Sequence, residues 1–363
     1  MVSAVGDVNI KTGKLEGQRI SDVSVSGFTI RGFKQKPNKG EGTIMIDVFG
    51  ARNATIEGNH VVGNNSAGIG IGAEGLNNTI ENNDLTDNKD AGVSVLEGER
   101  NATVANNTFT GNNRGIFSTD STETKILSND ITDSDELGML VENSTGTKIR
   151  SNDITDSTIG GMAIFDSTGT KIRSNDVSRF GNTGITIFGP EGANNDAKVV
   201  GNRVSGGPWG TWVGGAHRGS FAGNTIRHNC AGMFFEAFPS QPVGGFEVKG
   251  NKVENNTRKC PAGIEPGRVA FSGIGIALLG ASGMEVSANH LSGNVPSGPT
   301  PVSGGVVVST NPFGDGSAAP KNNSVTGNHF GYNKPDIYWD KSGSGNRFVG
   351  NLCNTSVPSS LCD

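Results

Sequence analysis

Apolar and polar residues alternate along this chain of 363 residues in short runs that are separated by polar corners. The pattern is clearest in two nearly identical segments, STGTKIRSNDIT at 144–155 and STGTKIRSNDVS at 167–178. In each, an alternating Lys-Ile-Arg run leads into a Ser-Asn-Asp corner, and a second run opened by glycine follows about nine residues after the asparagine. Alternation with a period of two predicts half-buried β-strands, and no stretch keeps the 3.6-residue period of a helix.

One asparagine recurs along the chain in the setting Asn-x-hydrophobic. Neighbouring copies are 22 to 39 residues apart, and most intervals lie in the low twenties. A period of this length, extended only by whole insertions, is typical of a solenoid. An inward asparagine in every coil can hydrogen-bond to its copies above and below, about 4.8 Å away. The positions are Asn59, Asn83, Asn107, Asn129, Asn152, Asn175, Asn202, Asn224, Asn251, Asn289, Asn328 and Asn351.

These repeats predict an all-β fold, a single-stranded right-handed parallel β-helix of roughly a dozen coils. Gly27 is expected to hold the asparagine's position in the first coil. We expect one domain over 1–363, because no linker interrupts the repeat. Long loops on a regular solenoid usually build a binding site or an interface. Loop insertions are predicted at 34–43, 189–197, 238–245, 258–272 and 295–304.

Composition and charge narrow the possible partners. The 56 glycines and the many asparagines supply tight corners, and a hydrophobic content of 33% suits a narrow core. A net charge of −5 gives no support for a nucleic-acid partner. The sequence has no apolar window of about 18 residues, so no membrane span is expected.

Four cysteines fall into two local pairs, Cys230 with Cys260 and Cys353 with Cys362. An even number in local pairs favours two disulfides and an oxidising compartment, and four reduced buried thiols are the alternative. The opening residues MVSAVGDVNIKTG have neither a basic start nor an apolar run. We therefore expect a secreted or extracellular protein whose leader has been removed.

The repeats, with blocks such as SGIGIALLGA at 272–281 and SGGVVVST at 303–310, also carry a family resemblance. Over 20–363 the chain resembles right-handed parallel β-helix proteins of the pectin-lyase-like superfamily. Within it, the chain is most similar to the periplasmic copper-protein-like β-helix repeat group and to secreted actinobacterial members. The resemblance implies the fold, but that superfamily holds lyases, hydrolases, epimerases, transferases and binding proteins. The chain lacks the Asn-Thr-Asp and Gly-His-Gly pair of polygalacturonases and the Asp-Pro-His-Asp of alginate epimerases.

Large rings fall on a face of the predicted coils that should be polar. Aligning the strands that follow the opening glycines puts Trp212, Phe234 and Gly275 in one outward column, and Gly214, Glu236 and Ala277 in the next. Exposed rings can hold the apolar faces of sugars. The alternative is that the rings pack beneath the long loops as a satellite core. The predicted substrate-binding rings are Trp209, Trp212, Phe188, Phe234 and Phe238.

Glu236 is the candidate general acid or base within this aromatic region. The neighbouring Gly214 and Gly215 predict a hollow beside its carboxylate. His217 is expected to assist proton transfer, and Arg218 to hold a substrate carboxylate or a developing negative charge. A structural pair between Glu236 and one of these two residues is the alternative.

The other acidic residues and histidines are weaker candidates for a functional site. Asp166 is a further candidate substrate ligand, because Asp120 lies two coils away, roughly 9.6 Å, near the carboxylate spacing of inverting glycosidases. Calcium ligation and simple turn formation are the alternatives. No cofactor is predicted, since a calcium site is not specifically indicated. No metal site is predicted either, because His290 and His329, in consecutive coils, lack a third ligand.

The sequence thus favours a secreted carbohydrate-active protein that acts on a polysaccharide or oligosaccharide, as a polysaccharide lyase or a glycoside hydrolase. A non-catalytic β-helix, serving as a scaffold or binding a glycan or a protein, is the alternative. The oligomeric state is not predicted.

Overall fold

The computed structural model describes residues 1–9, 14–32, 44–189, 194–260, 270–313 and 318–362. The chain divides into two compact units, Met1–Asp176 and Val177–Asp363, and each is described by itself. All regular elements in the described ranges are β-strands, and parallel sheets stack as a right-handed solenoid of about 12 turns. The predicted fold class is confirmed, and the single domain over 1–363 stays a prediction.

In the first unit, each coil contributes one strand to each of three parallel sheets. The strands of sheet 1 are Val2–Val5, Ile46–Phe49, Ile69–Gly72, Ala91–Val95, Arg114–Thr119, Leu137–Glu142 and Gly160–Phe165. Those of sheet 2 are Thr29–Arg31, His60–Val62, Asp84–Thr86, Thr108–Thr110, Asp130–Thr132 and Asp153–Ser157. Those of sheet 3 are Ser24–Ser26, Thr55–Glu57, Thr79–Glu81, Thr103–Ala105, Lys125–Leu127, Lys148–Arg150 and Lys171–Arg173. Two further pairs are Val8–Asn9 with Lys14–Leu15, and Ile20–Ser21 with Ala51–Arg52.

The second unit repeats the same three-sheet plan. Sheet 1 contains Thr183–Phe188, Trp209–Gly214, Ala231–Glu236, Ile274–Leu279, Gly304–Ser309, Ile337–Trp339 and Ser356–Val357. Sheet 2 contains Asp176–Phe180, which starts at the end of the first unit, then Arg203–Ser205, Thr225–Arg227, Lys252–Glu254, His290–Ser292 and His329–Gly331. Sheet 3 contains Asn194–Val200, His217–Ala222, Gly244–Lys249, Glu285–Ser287, Ser324–Thr326 and Arg347–Val349.

The predicted asparagine ladder lies inside both units, and each of the twelve side chains is at most 3% exposed. Asn83 shows the bonding pattern of the first unit. Its main-chain N–H and its Nδ2 donate to Asn107 Oδ1, at 2.9 and 3.0 Å, and the same Nδ2 donates to the carbonyl of Ile56 at 2.9 Å. Asn224 makes the equivalent three bonds in the second unit. The ladder therefore pairs buried main-chain groups at the corner between sheets 3 and 2.

The first coil differs from the prediction by one residue. Thr29 is in register with His60, and the N–H of Phe28 donates to Asn59 Oδ1 at 3.0 Å. Phe28, rather than Gly27, thus takes the ladder position. The error arose because the Gly-Phe-Thr-Ile segment contains no asparagine to fix the alignment.

A second asparagine ladder, which was not predicted from the sequence, lies at the corner that follows sheet 2. Asn64, Asn88 and Asn112 form it in the first unit, through amide–amide hydrogen bonds of 2.7 and 2.8 Å. In the second unit it runs through Asn229, Asn256, Asn294 and Asn333.

Glu99 lies at the corner before sheet 3 in the first unit, where the neighbouring coils have Gly75 and Ser121. Its side chain is fully buried, and Asn78 Nδ2 donates to both of its oxygens, at 3.0 and 3.2 Å. Burial raises the pKa of Glu99 to about 8, and the hydrogen bonds from Asn78 only partly offset this.

Both predicted disulfides are present and confirmed. The Cα atoms of Cys230 and Cys260 are 5.9 Å apart, and those of Cys353 and Cys362 are 5.4 Å apart. Across the described ranges there is no helix with the length and apolar character needed to cross a membrane.

Three of the predicted insertions lie wholly or partly outside the described residues. The segment 34–43 lies outside the described residues, as do 190–193 and 261–269 within two other insertions. In the insertion at 238–245, Phe238 and Gln241 exchange main-chain hydrogen bonds of 3.1 and 3.0 Å, which closes a tight turn.

Candidate functional site

The outward columns of sheet 1 in the second unit are close to the prediction, with one shift. Trp212 pairs with Phe234, which pairs with Ala277 rather than Gly275. Glu236 pairs with Leu279, which replaces Ala277 in the predicted second column. The predicted alignment is wrong at this coil because the Gly-Ile-Gly sequence offers two opening glycines, and the second, Gly275, rather than Gly273 is in register with Gly232.

Four rings of the second unit form a packed cluster on this face. Trp209 stacks on Phe271 with ring centroids 4.9 Å apart, and Phe313 contacts both Phe271 and Phe234, at 5.9 and 5.6 Å. Phe234 and Phe271 are only 2% and 5% exposed. Cys230, Cys260 and Val302 belong to the same hydrophobic cluster. Phe234 therefore lies in a satellite core beneath the loops, with Trp209 at its edge, as the alternative interpretation expected.

Phe188 and Trp212 form a separate stacked pair, half-buried, with centroids 5.7 Å apart and planes inclined by 10°. A Cβ atom at Gly214 would lie 2.9 Å from two atoms of the Trp212 ring and 3.1 Å from Phe188. The glycine thus lets the two rings lie over the strand. The predicted hollow at Gly214 and Gly215 is wrong, because the rings fill it at Gly214, and the carbonyl of Gly189 closes it at Gly215.

Glu236 ends its strand beside this stacked pair, and two side chains hold its carboxylate. Trp212 Nε1 donates to Oε2 at 2.8 Å, and Asn311 Nδ2 donates to Oε1 at 2.7 Å. The orientation of the Asn311 amide is fixed, because its Oδ1 accepts the N–H of Phe313 at 2.9 Å. Both oxygens of Glu236 therefore act as acceptors, which suits an ionised carboxylate.

Asn311 was not predicted as a site residue. It is 75 positions from Glu236, on the segment after the strand Gly304–Ser309, and is 6% exposed. Asp340 fixes the start of that segment by accepting the N–H and the hydroxyl of Thr310, at 2.9 and 3.0 Å. Burial acts to raise the pKa of Asp340, but hydrogen bonds from Ser342 and Thr310 outweigh it and lower the pKa below its ordinary value. No local sequence signal connects these residues, since the contacts come from coil stacking.

His217 and Arg218 begin a strand of sheet 3, whereas Glu236 ends a strand of sheet 1. Arg218 has a left-handed main chain, with φ of 54°, and its guanidinium lies 3.3 Å from Asp196 Oδ2. Both of these side chains are more than half exposed. The catalytic roles suggested for His217 and Arg218 stay predictions.

Phe238 and Asp166 are the remaining predicted substrate-binding residues. Phe238 is half-buried and belongs to the tight turn with Gln241. Asp166 is an exposed corner residue of the first unit with φ of 48°, and Asp120 occupies an equivalent corner with φ of 50°. Asparagine and aspartate favour such left-handed corners. Substrate-binding roles for Phe238 and Asp166 stay predictions.

The family comparisons agree with the fold. Residues 137–313 and 191–355 match the family model described as "right handed beta helix region". Residues 17–186 match the model described as "periplasmic copper-binding protein (NosD)". A search of curated proteins finds no match.

Three solved structures illustrate the similarity of the chain to known β-helix proteins. A variant of the periplasmic alginate epimerase AlgG has a TM-score of 0.59 at 14% identity, covering 92% of this chain and 84% of that chain. DFA-IIIase from Arthrobacter chlorophenolicus A6 has a TM-score of 0.52 at 13% identity, covering 84% and 79%. The Dettilon tailspike protein has a TM-score of 0.54 at 14% identity, and although 92% of this chain aligns, it spans only 61% of the tailspike chain. At identities of 13–14%, the similarity shows only that the fold is shared.

The segment that matches the copper-binding family does not fit a copper site. It contains one histidine, His60, and no cysteine. His60 Nδ1 lies 2.9 Å from Asp84 Oδ2. Its three methionines, Met45, Met139 and Met162, are at most 1% exposed. Copper favours imidazole, thiolate and accessible thioether ligands, which this segment does not bring together.

Proposed function

We propose that this chain, which belongs to the right-handed β-helix family, acts on an extracellular glycan through sheet 1 of its second unit. The observation that carries the proposal is the Glu236 carboxylate, held by Trp212 and Asn311 at the edge of the stacked Phe188–Trp212 pair. The carbohydrate-acting structural neighbours support a glycan-related role. The two disulfides support secretion into an oxidising compartment.

The chemistry follows from the arrangement around the carboxylate. Stacked rings offer an apolar edge on which a sugar ring can rest. An ionised carboxylate beside that edge can accept a proton, either from water in hydrolysis or from the carbon next to a uronate carboxyl group in β-elimination. The Trp212 N–H and the Asn311 amide fix the orientation of Glu236, so the proton acceptor is already positioned when the substrate arrives. We propose Glu236 as the base, and a polysaccharide lyase or glycoside hydrolase as the activity.

A panel of neutral and acidic polysaccharides tests the proposal, with reducing ends and the absorbance of unsaturated uronates followed in parallel. Glu236→Gln should abolish turnover of the substrate found at a temperature at which circular dichroism shows the variant to be folded. Its melting temperature should fall, because the new amide places a donor opposite Trp212 Nε1 or Asn311 Nδ2. Glu142→Gln is the matched control, because Glu142 also ends a strand of sheet 1 and is half-buried. Full activity of Glu236→Gln would refute the proposed catalytic role.

A non-catalytic glycan-binding protein is the second candidate. One observation favours it: both Glu236 oxygens already bind side chains, and one of those bonds anchors the segment around Asn311. In that case the wild type binds a glycan without cleaving it, and Glu236→Gln retains the binding. Trp212→Ala should weaken binding in both cases, so turnover by the wild type separates the two functions.

A further inference from the structure

A pair of histidines on sheet 2 of the second unit lies away from the residues assigned above. His290 and His329 are in register on neighbouring strands, each directly after a ladder asparagine. Their Nδ1 atoms are 3.0 Å apart, whereas their ring centroids are 5.0 Å apart. The rings therefore lean towards each other at their Nδ1 edges. We propose that this pair binds a divalent transition-metal ion through both Nδ1 atoms, with a preference for Cu²⁺.

The spacing of the two nitrogens supports chelation. With metal–nitrogen bonds of about 2.05 Å, cis ligands at a right angle are about 2.9 Å apart, and tetrahedral ligands about 3.3 Å apart. The observed 3.0 Å is closer to the right-angle value. Tetragonal geometry with nitrogen ligands is typical of Cu²⁺ and Ni²⁺, and Cu²⁺ is the tightest-binding ion of the first-row divalent series.

The asparagine ladder fixes the backbone from which the two imidazoles project. Asn289 N–H and Nδ2 donate to Asn328 Oδ1 at 3.0 and 2.9 Å, one residue before each histidine. Both ladder asparagines are 1% exposed. The Cα positions of the histidines are therefore fixed before a metal binds, and only ring rotations are required.

Glu254 supplies a partner for the far side of one ring. Its Oε1 lies 3.7 Å from His290 Nε2, and its Oε2 lies 2.9 Å from Lys252 Nζ. When Nδ1 binds a metal, the Nε2 atom carries the proton and can donate to this carboxylate. Carboxylates placed in this way orient metal-binding histidines and raise their basicity.

The site is open on the solvent side. His329 is exposed and His290 is partly exposed. Across the described part of the chain, no group of three or more His, Cys, Asp or Glu side chains is placed to hold a metal ion. Water or a small external ligand would therefore complete the coordination of a two-histidine site.

The test is a titration of the whole chain with Cu²⁺ in a weakly coordinating buffer at pH 7.5, followed by equilibrium dialysis and by nitrogen hyperfine structure in electron paramagnetic resonance. The wild type should bind one equivalent with two-nitrogen coordination. His290→Asn and His329→Asn should each weaken binding by at least about tenfold, the scale on which even outer-shell changes act. His60→Asn and His228→Asn are the controls, and neither should change the affinity.

A comparison of metal ions strengthens the test. Ni²⁺ and Zn²⁺ should bind more weakly than Cu²⁺. If either single variant keeps the wild-type affinity and the two-nitrogen signal, or if the wild type binds no Cu²⁺, the histidines are a hydrogen-bonded stack only and the proposal is wrong. Neither outcome bears on the glycan-related function.

Discussion

Sheet 1 has the same inner face in the two units but very different outer faces. In the first unit the outward row in register consists of Ser3, Asp47, Gly70, Ser94, Phe117, Leu140 and Ala163, so Phe117 is its one ring. The Arg114 guanidinium covers the Phe117 ring at 5.1 Å.

In the second unit the equivalent outward row includes Trp212, Phe234 and Tyr338, and rings gather into a cluster beneath the loops. The interior corner between sheets 3 and 2 is nearly the same in the two units, since the asparagine ladder makes equivalent bonds in both. The interior residues therefore determine the structure of the coil, and the outer face of sheet 1 can differ between the units and form a binding site in one of them.

The largest expected effect concerns what the two units share. Asn129→Ala and Asn224→Ala should each destabilise the protein by about 3–5 kcal/mol, because each leaves several buried polar groups unpaired. Asn129 and Asn224 make the same three donor bonds and accept the same two. The two losses, measured by urea unfolding, should therefore agree within about 1 kcal/mol. A clearly larger loss at one site would show that the ladder is not equivalent in the two units.

The second prediction concerns the two disulfides, which belong to the second unit. All four cysteines belong to it, and the Cys230–Cys260 bond closes 30 residues. Its replacement by two alanines should cost about 3–4 kcal/mol, and loss of the shorter Cys353–Cys362 bond about 2–3 kcal/mol. Amide hydrogen exchange should accelerate near the aromatic cluster in the first case. Unchanged exchange there would argue against the disulfide as a support for the cluster.

The third effect belongs to the first unit and depends on pH. The folded-state pKa of Glu99 is raised from 4.5 to about 8, so folding favours its protonated form. The resulting stability is complete below about pH 4.5 and is lost as the pH rises towards 8. Glu99→Gln cannot ionise, so its stability relative to the wild type should improve by about 4 kcal/mol between pH 4 and pH 8, and then level off above pH 8.

Urea unfolding at a series of pH values measures this difference, and Glu142→Gln on sheet 1 of the same unit provides the reference curve. A difference that is independent of pH would contradict the burial-induced shift at Glu99.

The smallest expected effect is a difference in stability loss between substitutions of two tryptophans in the second unit. Trp212 Nε1 donates to the Glu236 carboxylate at 2.8 Å, and Trp339 Nε1 donates to the carbonyl of Ser342 at 3.0 Å. Trp212→Phe should cost about 1.5–3 kcal/mol, and Trp339→Phe about 0.5–1.5 kcal/mol, because hydrogen bonds to charged groups contribute more. Thermal unfolding of both variants checks the order. Equal losses would indicate that Glu236 does not strengthen the bond to Trp212.

The sequence was sufficient for the fold because its repeat fixes the stacking. The twelve asparagines occur in one local setting, so one alignment places them all, and both disulfides were predicted from the local pairing of an even number of cysteines. The alignment failed at Phe28 and at Gly275. In the first case the marker residue is absent, and in the second a glycine two residues away offers an equally good register.

The candidate site was only partly accessible to sequence reasoning. Glu236 and Trp212 were found because they stand in outward columns. Asn311 was missed because its contact with Glu236 depends on the course of a loop, which periodicity does not describe. The hollow at Gly214 was a false expectation for a related reason: a missing side chain leaves space only when no neighbouring ring rotates into it.

The asparagine ladder also affects how such a chain can change its length. The hydrogen bonds of a ladder residue such as Asn129 reach only the coils immediately before and after it. The spacing between successive copies varies from 22 to 39 residues. Asn129 and Asn152 share the sequence Ser-Asn-Asp-Ile-Thr, so a deletion of 129–151 would join Ser128 to Asn152 and bring Asn107 opposite an identical partner. Gene segments that encode one coil can therefore be lost or duplicated without creating a new interior.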